Sequence, residues 1–134
     1  MEFTIEYQKR QEEINNFKGT LDEKIQKVIQ LTIYLKGKST IEVVKWANIG
    51  ITLVGNKRKY ALQKQLFLDK IAVSYVYSNE PNKAIPMFVD ALLFYTKIKD
   101  EKRAVVTKQC LATAYDNMGH HNEATEILVS LLSY

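Results

Sequence analysis

Cysteine occurs once in the 134 residues, at Cys110, so no internal disulfide can staple the chain, and a reducing compartment suits it. Proline occurs twice and glycine five times, which leaves little room for long irregular segments. No window approaches eighteen apolar residues, so no segment reads as a membrane span. The start, Met-Glu-Phe-Thr-Ile-Glu-Tyr, lacks the basic opening and apolar run of a secretory signal, and the cytoplasm is the expected location. Histidine occurs only as the adjacent pair His120-His121, with no Cys, Asp or Glu at ligand spacing to complete a metal site. Cys110 has no second cysteine and no histidine at helical distance, so it does not read as a nucleophile. No carboxylate pair stands out from the polar helix faces. No enzyme activity, cofactor or metal is expected.

What the chain does have is a globular balance of 46% apolar and 25% charged residues. The formal charge of +4 is unevenly placed. Residues 1–67 carry twelve Lys/Arg against seven Asp/Glu, and residues 68–134 carry seven against eight. The first half is basic and the second close to neutral.

Apolar residues recur at helical spacing throughout. Phe3, Tyr7, Ile14 and Phe17 share one face of a predicted helix over about 3–17. Thr20-Leu-Asp-Glu23 is a capping box that opens a helix over about 21–36, with Ile25, Val28, Leu31, Thr32 and Leu35 inside and Gly37 closing it. Ser39-Thr-Ile-Glu42 is a second capping box, opening a helix over about 40–54 that Gly55-Asn56 ends. A long helix over about 58–78 carries the stripe Leu62, Leu66, Ile71 and Tyr75. Pro81 begins the next, where its missing N–H costs nothing, and Pro86 should loosen its first turns by crowding the Asn82 carbonyl. Asp100 caps a helix over about 101–118, and the last runs from near His121 to Tyr134.

The chain also repeats itself. Shifted by forty residues, Ile71, Ala72, Tyr75, Ala84 and Phe88 fall on Leu111, Ala112, Tyr115, Ala124 and Leu128. Small residues at Ala72, Ala84, Ala112 and Ala124 let two helices approach closely, and the tyrosine a turn further on fills the wedge to the next pair. A two-helix unit cannot bury both faces alone, so it stacks on neighbours. In the same register Leu31, Leu35, Val44 and Ile51 make a first, weaker copy, with Asn48 where a large apolar residue is expected.

This pattern resembles the tetratricopeptide repeat: Leu111, Ala112, Tyr115, Gly119, Ala124 and Leu128 fit one copy, and Ile71, Ala72, Tyr75, Ala84, Phe88 and Ala91 the copy before. Leu131 stands where the pattern prefers Ala. The forty-residue period is longer than the usual thirty-four or so. It is similar to that of kinesin-light-chain repeats and of the sensory repeat domains of bacterial signalling proteins, peptide-pheromone receptors included. The resemblance implies an all-α, antiparallel helical-hairpin stack of about seven helices. Its expected parts are an N-terminal helix at 1–19, a weak repeat at 20–56 and repeats at 57–98 and 99–134. Tyr134 matches Phe94, and the earlier helix runs on to about Ile98, so the chain reads as the N-terminal part of a longer protein.

The resemblance further implies a concave face for a peptide or partner helix at Leu66, Asp69, Val73, Val76 and Tyr77, and at Val106, Gln109, Thr113, Asp116 and Asn117. Gln109, Cys110 and Thr113 do not match the carboxylate clamp of chaperone-binding members. The expected function is non-catalytic protein or peptide docking, as the sensory or regulatory region of a bacterial signalling protein. Tyr95-Thr-Lys-Ile-Lys-Asp-Glu-Lys102, similar to inter-repeat segments of such proteins, adds to that expectation.

Two alternatives use other features. The basic run Lys57, Arg58 and Lys59, with Lys64 a turn later, could join Lys36, Lys38 and Lys45 in one positive surface for an acidic partner or a nucleic acid. Apolar edges at an uncapped end could instead make a homodimer. The segment Gly50–Lys57 is not a phosphate loop, because Asn56 separates glycine from lysine and Arg58 stands where the magnesium-binding Ser/Thr is needed.

Overall fold

The computed structural model describes residues 2–132, with side chains from Phe3 to Ser130, and every regular element among them is helical. Seven α-helices follow in order: α1 (Glu2–Asn15), α2 (Leu21–Leu35), α3 (Thr40–Val54), α4 (Ala61–Tyr77), α5 (Pro81–Lys97), α6 (Glu101–Asn117) and α7 (His121–Leu132). A single 3-10 turn, Arg58–Tyr60, precedes α4 and replaces the first residues of the predicted fourth helix. The all-α expectation holds, and short turns join helices into antiparallel hairpins. Tyr134 and the Leu131 side chain, both used in the repeat comparison, lie outside the described residues. The chain divides into two compact units between Phe67 and Leu68, inside α4. The basic and near-neutral halves of the sequence part at the same place.

In the first unit the α2 stripe is buried as predicted, at Ile25, Val28, Leu31, Thr32 and Leu35. The Thr20 capping box forms completely: Thr20 Oγ1 accepts from the Glu23 N–H at 3.2 Å, and the Thr20 N–H donates to Glu23 Oε1 at 3.2 Å. The second box forms by half. Ser39 Oγ accepts from the Glu42 N–H, but the Glu42 carboxylate does not turn back, because it accepts the Tyr7 hydroxyl of α1 instead.

The buried face of α3 is Val43, Ala47, Gly50 and Val54, with Trp46. This is one residue earlier than the forty-residue register, so the expected match at Val44 and Ile51, which are only half-buried, does not hold, and exposed Asn48 is no misfit. The α2–α3 turn explains the slip. α2 ends at Leu35, two residues before the register partner of the α4 end at Tyr77. Its turn at 36–39 runs four residues where the turns of the second unit run three, so α3 enters one residue early. Gly50 has a specific role: a Cβ there would sit 2.3 Å from the ring of Phe67, which is 1% exposed.

The second unit is built on a step of twenty residues. α4, α5 and α6 are each 17 residues long and are followed by three-residue turns at 78–80, 98–100 and 118–120. Each turn closes in the same way. The amides of Glu80, Asp100 and His120 donate to the carbonyls of Tyr75, Tyr95 and Tyr115 at 2.8, 2.9 and 2.9 Å. The amides of Asn79, Lys99 and Gly119 donate to Val76, Thr96 and Asp116. This is the Schellman closure, which needs a left-handed residue just past the helix. Asn79, Lys99 and Gly119 supply it at φ 59°, 60° and 80°. The residue that closes one helix is also the one from which the next begins, so no residue is spare. The forty-residue repeat is two such steps.

The core of this unit gathers Ala72, Ala84, Phe88, Leu111 and Ala114, with Tyr75 and Tyr115 packed against it. Both tyrosines are half-buried against this one cluster, and the carbonyl of each accepts in the closure of the turn that follows. The helix-four stripe needs correction. Phe67, Ile71, Ala72 and Ser74 are buried, while Leu62, Leu66 and Tyr75 are only half-buried. Leu66 and Ile71 are five residues apart and cannot share a helical face, so the buried face rotates along α4. α5 runs unbroken through Pro86, which faces solvent.

Candidate partner-binding surface

Nine of the ten predicted docking residues fall in the second unit, Leu66 being in the first. They do not form one uniform surface. Val73 and Val76 of α4 are half-buried and lean on the core cluster. Asp69 accepts the hydroxyl of Tyr95, a residue 1% exposed. Burial, and then that carboxylate, push the Tyr95 phenol far above its ordinary range. Asp69 is thus a fixed structural acceptor. Thr113 donates to the Gln109 carbonyl of its own helix at 3.0 Å, and Asp116 pairs with His121 Nδ1.

The exposed apolar groups of the set are Tyr77, at 66%, and Val106, at 52%. Tyr77 ends α4 and Val106 lies in the second turn of α6, with exposed Gln109, Thr113 and Asn117 continuing along α6. The core closes without any of these five side chains, and of their polar groups only the Thr113 hydroxyl is spent on its own helix, so the unit exposes apolar and hydrogen-bonding groups beyond its own packing.

The histidines have partners that adjacency on a turn did not suggest. His120 stacks on Tyr115 with ring centres 6.2 Å apart, and His121 holds Asp116. Among the described residues no three His, Cys, Asp or Glu side chains gather as metal ligands. Cys110 is half-buried beside the core cluster.

The seven basic residues do not form one surface. The Tyr60 hydroxyl donates to Asp22, which fixes the Lys57–Lys59 run at the N-terminal end of α2. Lys36 and Lys38 follow the other end of that 15-residue helix, about 20 Å away at 1.5 Å per residue. Lys45 pairs with Glu42 at 3.6 Å, and Lys38 donates to the Tyr34 carbonyl at 3.1 Å. Antiparallel hairpins separate what the sequence alternates. Lys59 and Tyr60 instead border a cleft of about 320 Å³ with Asp22, Ile25, Gln26 and Gln63. The Asp22 carboxylate beside Lys59 makes that cleft a poor seat for phosphate.

The sequence missed the Tyr95–Asp69 bond and the twenty-residue step. Tyrosine at 75, 95 and 115 was the available signal. No helix among the described residues is long and apolar enough to cross a membrane. Comparison with family models, curated proteins and solved structures finds no match.

Proposed function

We propose that this chain is a non-catalytic interaction module of tetratricopeptide type, which holds a peptide or partner helix against its second unit. Tyr77 and Val106 supply the apolar grip, and Gln109, Thr113 and Asn117 the hydrogen-bonding edge. The observation that carries this reading is the contrast among the tyrosines. Tyr75, Tyr95 and Tyr115 close the helix turns and are buried or half-buried, whereas Tyr77, two residues past the first of them, stands 66% exposed with no packing task. Amphipathic aromatic side chains left over in this way are frequent anchors of partner binding. The forty-residue period and the Tyr95–Lys102 segment make the docking region of a bacterial signalling or regulatory protein the role we favour, in the cytoplasm.

The test is selection of ligands from a displayed peptide library, followed by calorimetry against the wild type, Tyr77→Ala and Val106→Asp. We expect each substitution to weaken the selected peptides tenfold or more, with little change between low and moderate salt. Peptides that bind both variants as they bind the wild type would refute the assignment of this surface. Affinity that collapses with salt would point instead to the basic run and a polyanion.

A further inference from the structure

Along its 17 residues α5 carries only three charged side chains, Lys83, Asp90 and Lys97, at intervals of seven. Seven residues make nearly two full turns, so the three form one line along the helix. Beside that line runs an apolar stripe of Pro86, Val89 and Leu93, at i, i+3 and i+7. All three face solvent, Val89 at 40% and Leu93 at 65%. The packing of the second unit does not use them, because Ala84, Phe88, Ala91 and Tyr95 fill the buried side of α5. The repeat does not require them either: Glu126 and Ser130 of α7 stand where α5 has Pro86 and Asp90. The charged line is only partly satisfied. Lys83 Nζ donates to Glu80 Oε1 at 2.8 Å. Asp90 and Lys97 have no ion-pair partner among the described residues, and about 10 Å of helix separates them.

We infer that this face of α5 binds the same face of a second copy of the chain, as an antiparallel helix pair about a two-fold axis. Such an axis keeps each flank on its own side and reverses direction along the helix. Asp90 of one copy therefore meets Lys97 of the other, twice, when the axis crosses between Leu93 and Phe94. That register sets Leu93 against its twin at the centre, with a Val89 to either side. The other self-pairing, Asp90 with Lys83, moves the axis to between Pro86 and Met87. It carries Leu93 past the start of the partner helix and competes with Glu80 for Lys83. A partner of one charge sign would satisfy Asp90 or Lys97 and repel the other, whereas a second copy satisfies both. One helix pair falls near the lower bound of about 1,200 Å² for stable interfaces, so the dimer is weak and exchanging. The inference does not rest on the Tyr77–Val106 surface.

The test is sedimentation of the full chain from micromolar to millimolar concentration, with charge reversal to read the register. The wild-type mass should rise from one chain to two, and Leu93→Asp should weaken the association at least tenfold. Asp90→Lys alone sets lysine against lysine, and Lys97→Asp alone sets aspartate against aspartate, so each should weaken it at least tenfold as well. An equimolar mixture of those two variants restores both opposite-charge contacts and should dimerise about as the wild type does. All three altered positions are exposed, and an unchanged circular dichroism spectrum checks that the fold survives. A wild-type chain that stays monomeric at millimolar concentration overturns the inference, whatever else covers the stripe. So does a dimer that survives Leu93→Asp, or a mixture of the two reversed variants that associates no better than either alone.

Discussion

The hydroxyl of Tyr95 in α5 donates to the carboxylate of Asp69 in α4, so the most deeply buried tyrosine of the second unit is anchored on a residue twenty-six positions earlier. The bond ties the middle of α4 to the last turn of α5, away from the turn at 78–80. It also removes Asp69 from any role in gripping a ligand.

Tyr95→Phe should destabilise the chain by about 1–2 kcal/mol, since a hydrogen bond to a charged group is lost and the carboxylate is left poorly served. Combining it with Asp69→Asn should cost less than the two single changes added together. Urea unfolding of the three variants measures this. An additive result would mean that the hydroxyl and carboxylate do not act as a pair.

Alkaline unfolding carries a second signature. Burial, then the Glu42 carboxylate, push the Tyr7 phenol up to about 12, and Tyr95 is raised further. A phenol whose folded value is raised contributes stability that is complete below its unfolded value near 10 and is lost as pH climbs through the folded value. Stability should therefore be flat from neutral pH to about 10 and fall above it. Tyr7→Phe and Tyr95→Phe should each make that fall shallower, as read by chemical unfolding at stepped pH.

The three equivalent turns of the second unit differ in cost. Lys99 holds φ 60° with a side chain that disfavours it, whereas Gly119 holds φ 80° without one. Lys99→Gly should stabilise the chain by up to about 1 kcal/mol, and Gly119→Ala should destabilise it by about the same amount. Thermal unfolding should move in opposite directions for the two. A loss of stability in Lys99→Gly would remove strain from the account of that turn.

Gly50 reverses the usual rule for a glycine inside a helix. Alanine there would ordinarily gain up to about 1 kcal/mol, but its methyl group would collide with the Phe67 ring. Gly50→Ala should instead cost about 1–3 kcal/mol. Adding Phe67→Leu, which vacates the space, should recover part of the loss.

Trp46 is the only tryptophan, and its Nε1 donates to the Tyr7 hydroxyl at 2.8 Å. Tyr7→Phe leaves that N–H without its acceptor at a residue 3% exposed. Its emission should shift, and unit-one stability should fall by about 1–2 kcal/mol. Unchanged emission would mean that α1 is not held at this point.

Local signals in the sequence are legible because local chemistry decides them. Thr20, Asp100 and Pro81 mark helix starts through bonds made or forgone within one turn, and α3 begins and ends where Ser39 and Gly55 place it. What was lost depends on distant partners. Glu42 looked like the return arm of a capping box but is drawn away by Tyr7, thirty-five positions earlier. The slip at Asn48 comes from the early end of α2 at Leu35 and its four-residue turn, which a fixed forty-residue offset cannot register. The lysines of 36–38 and 57–59 form one basic stretch only in the linear order, because the hairpins sort them to opposite ends of α2. Among the docking residues, type and spacing did not reveal that Asp69 and Asp116 already serve Tyr95 and His121.

The shared closing residue of each turn constrains how the second unit can change in length. Adding or deleting one amino acid between 78 and 80 would disturb the exit of one helix and the entry of its successor together, and would swing every later side chain about 100° around its axis. Insertion of an intact helix pair should therefore disturb this unit less than insertion of a single residue, and the spectrum and melting of two such variants would show it.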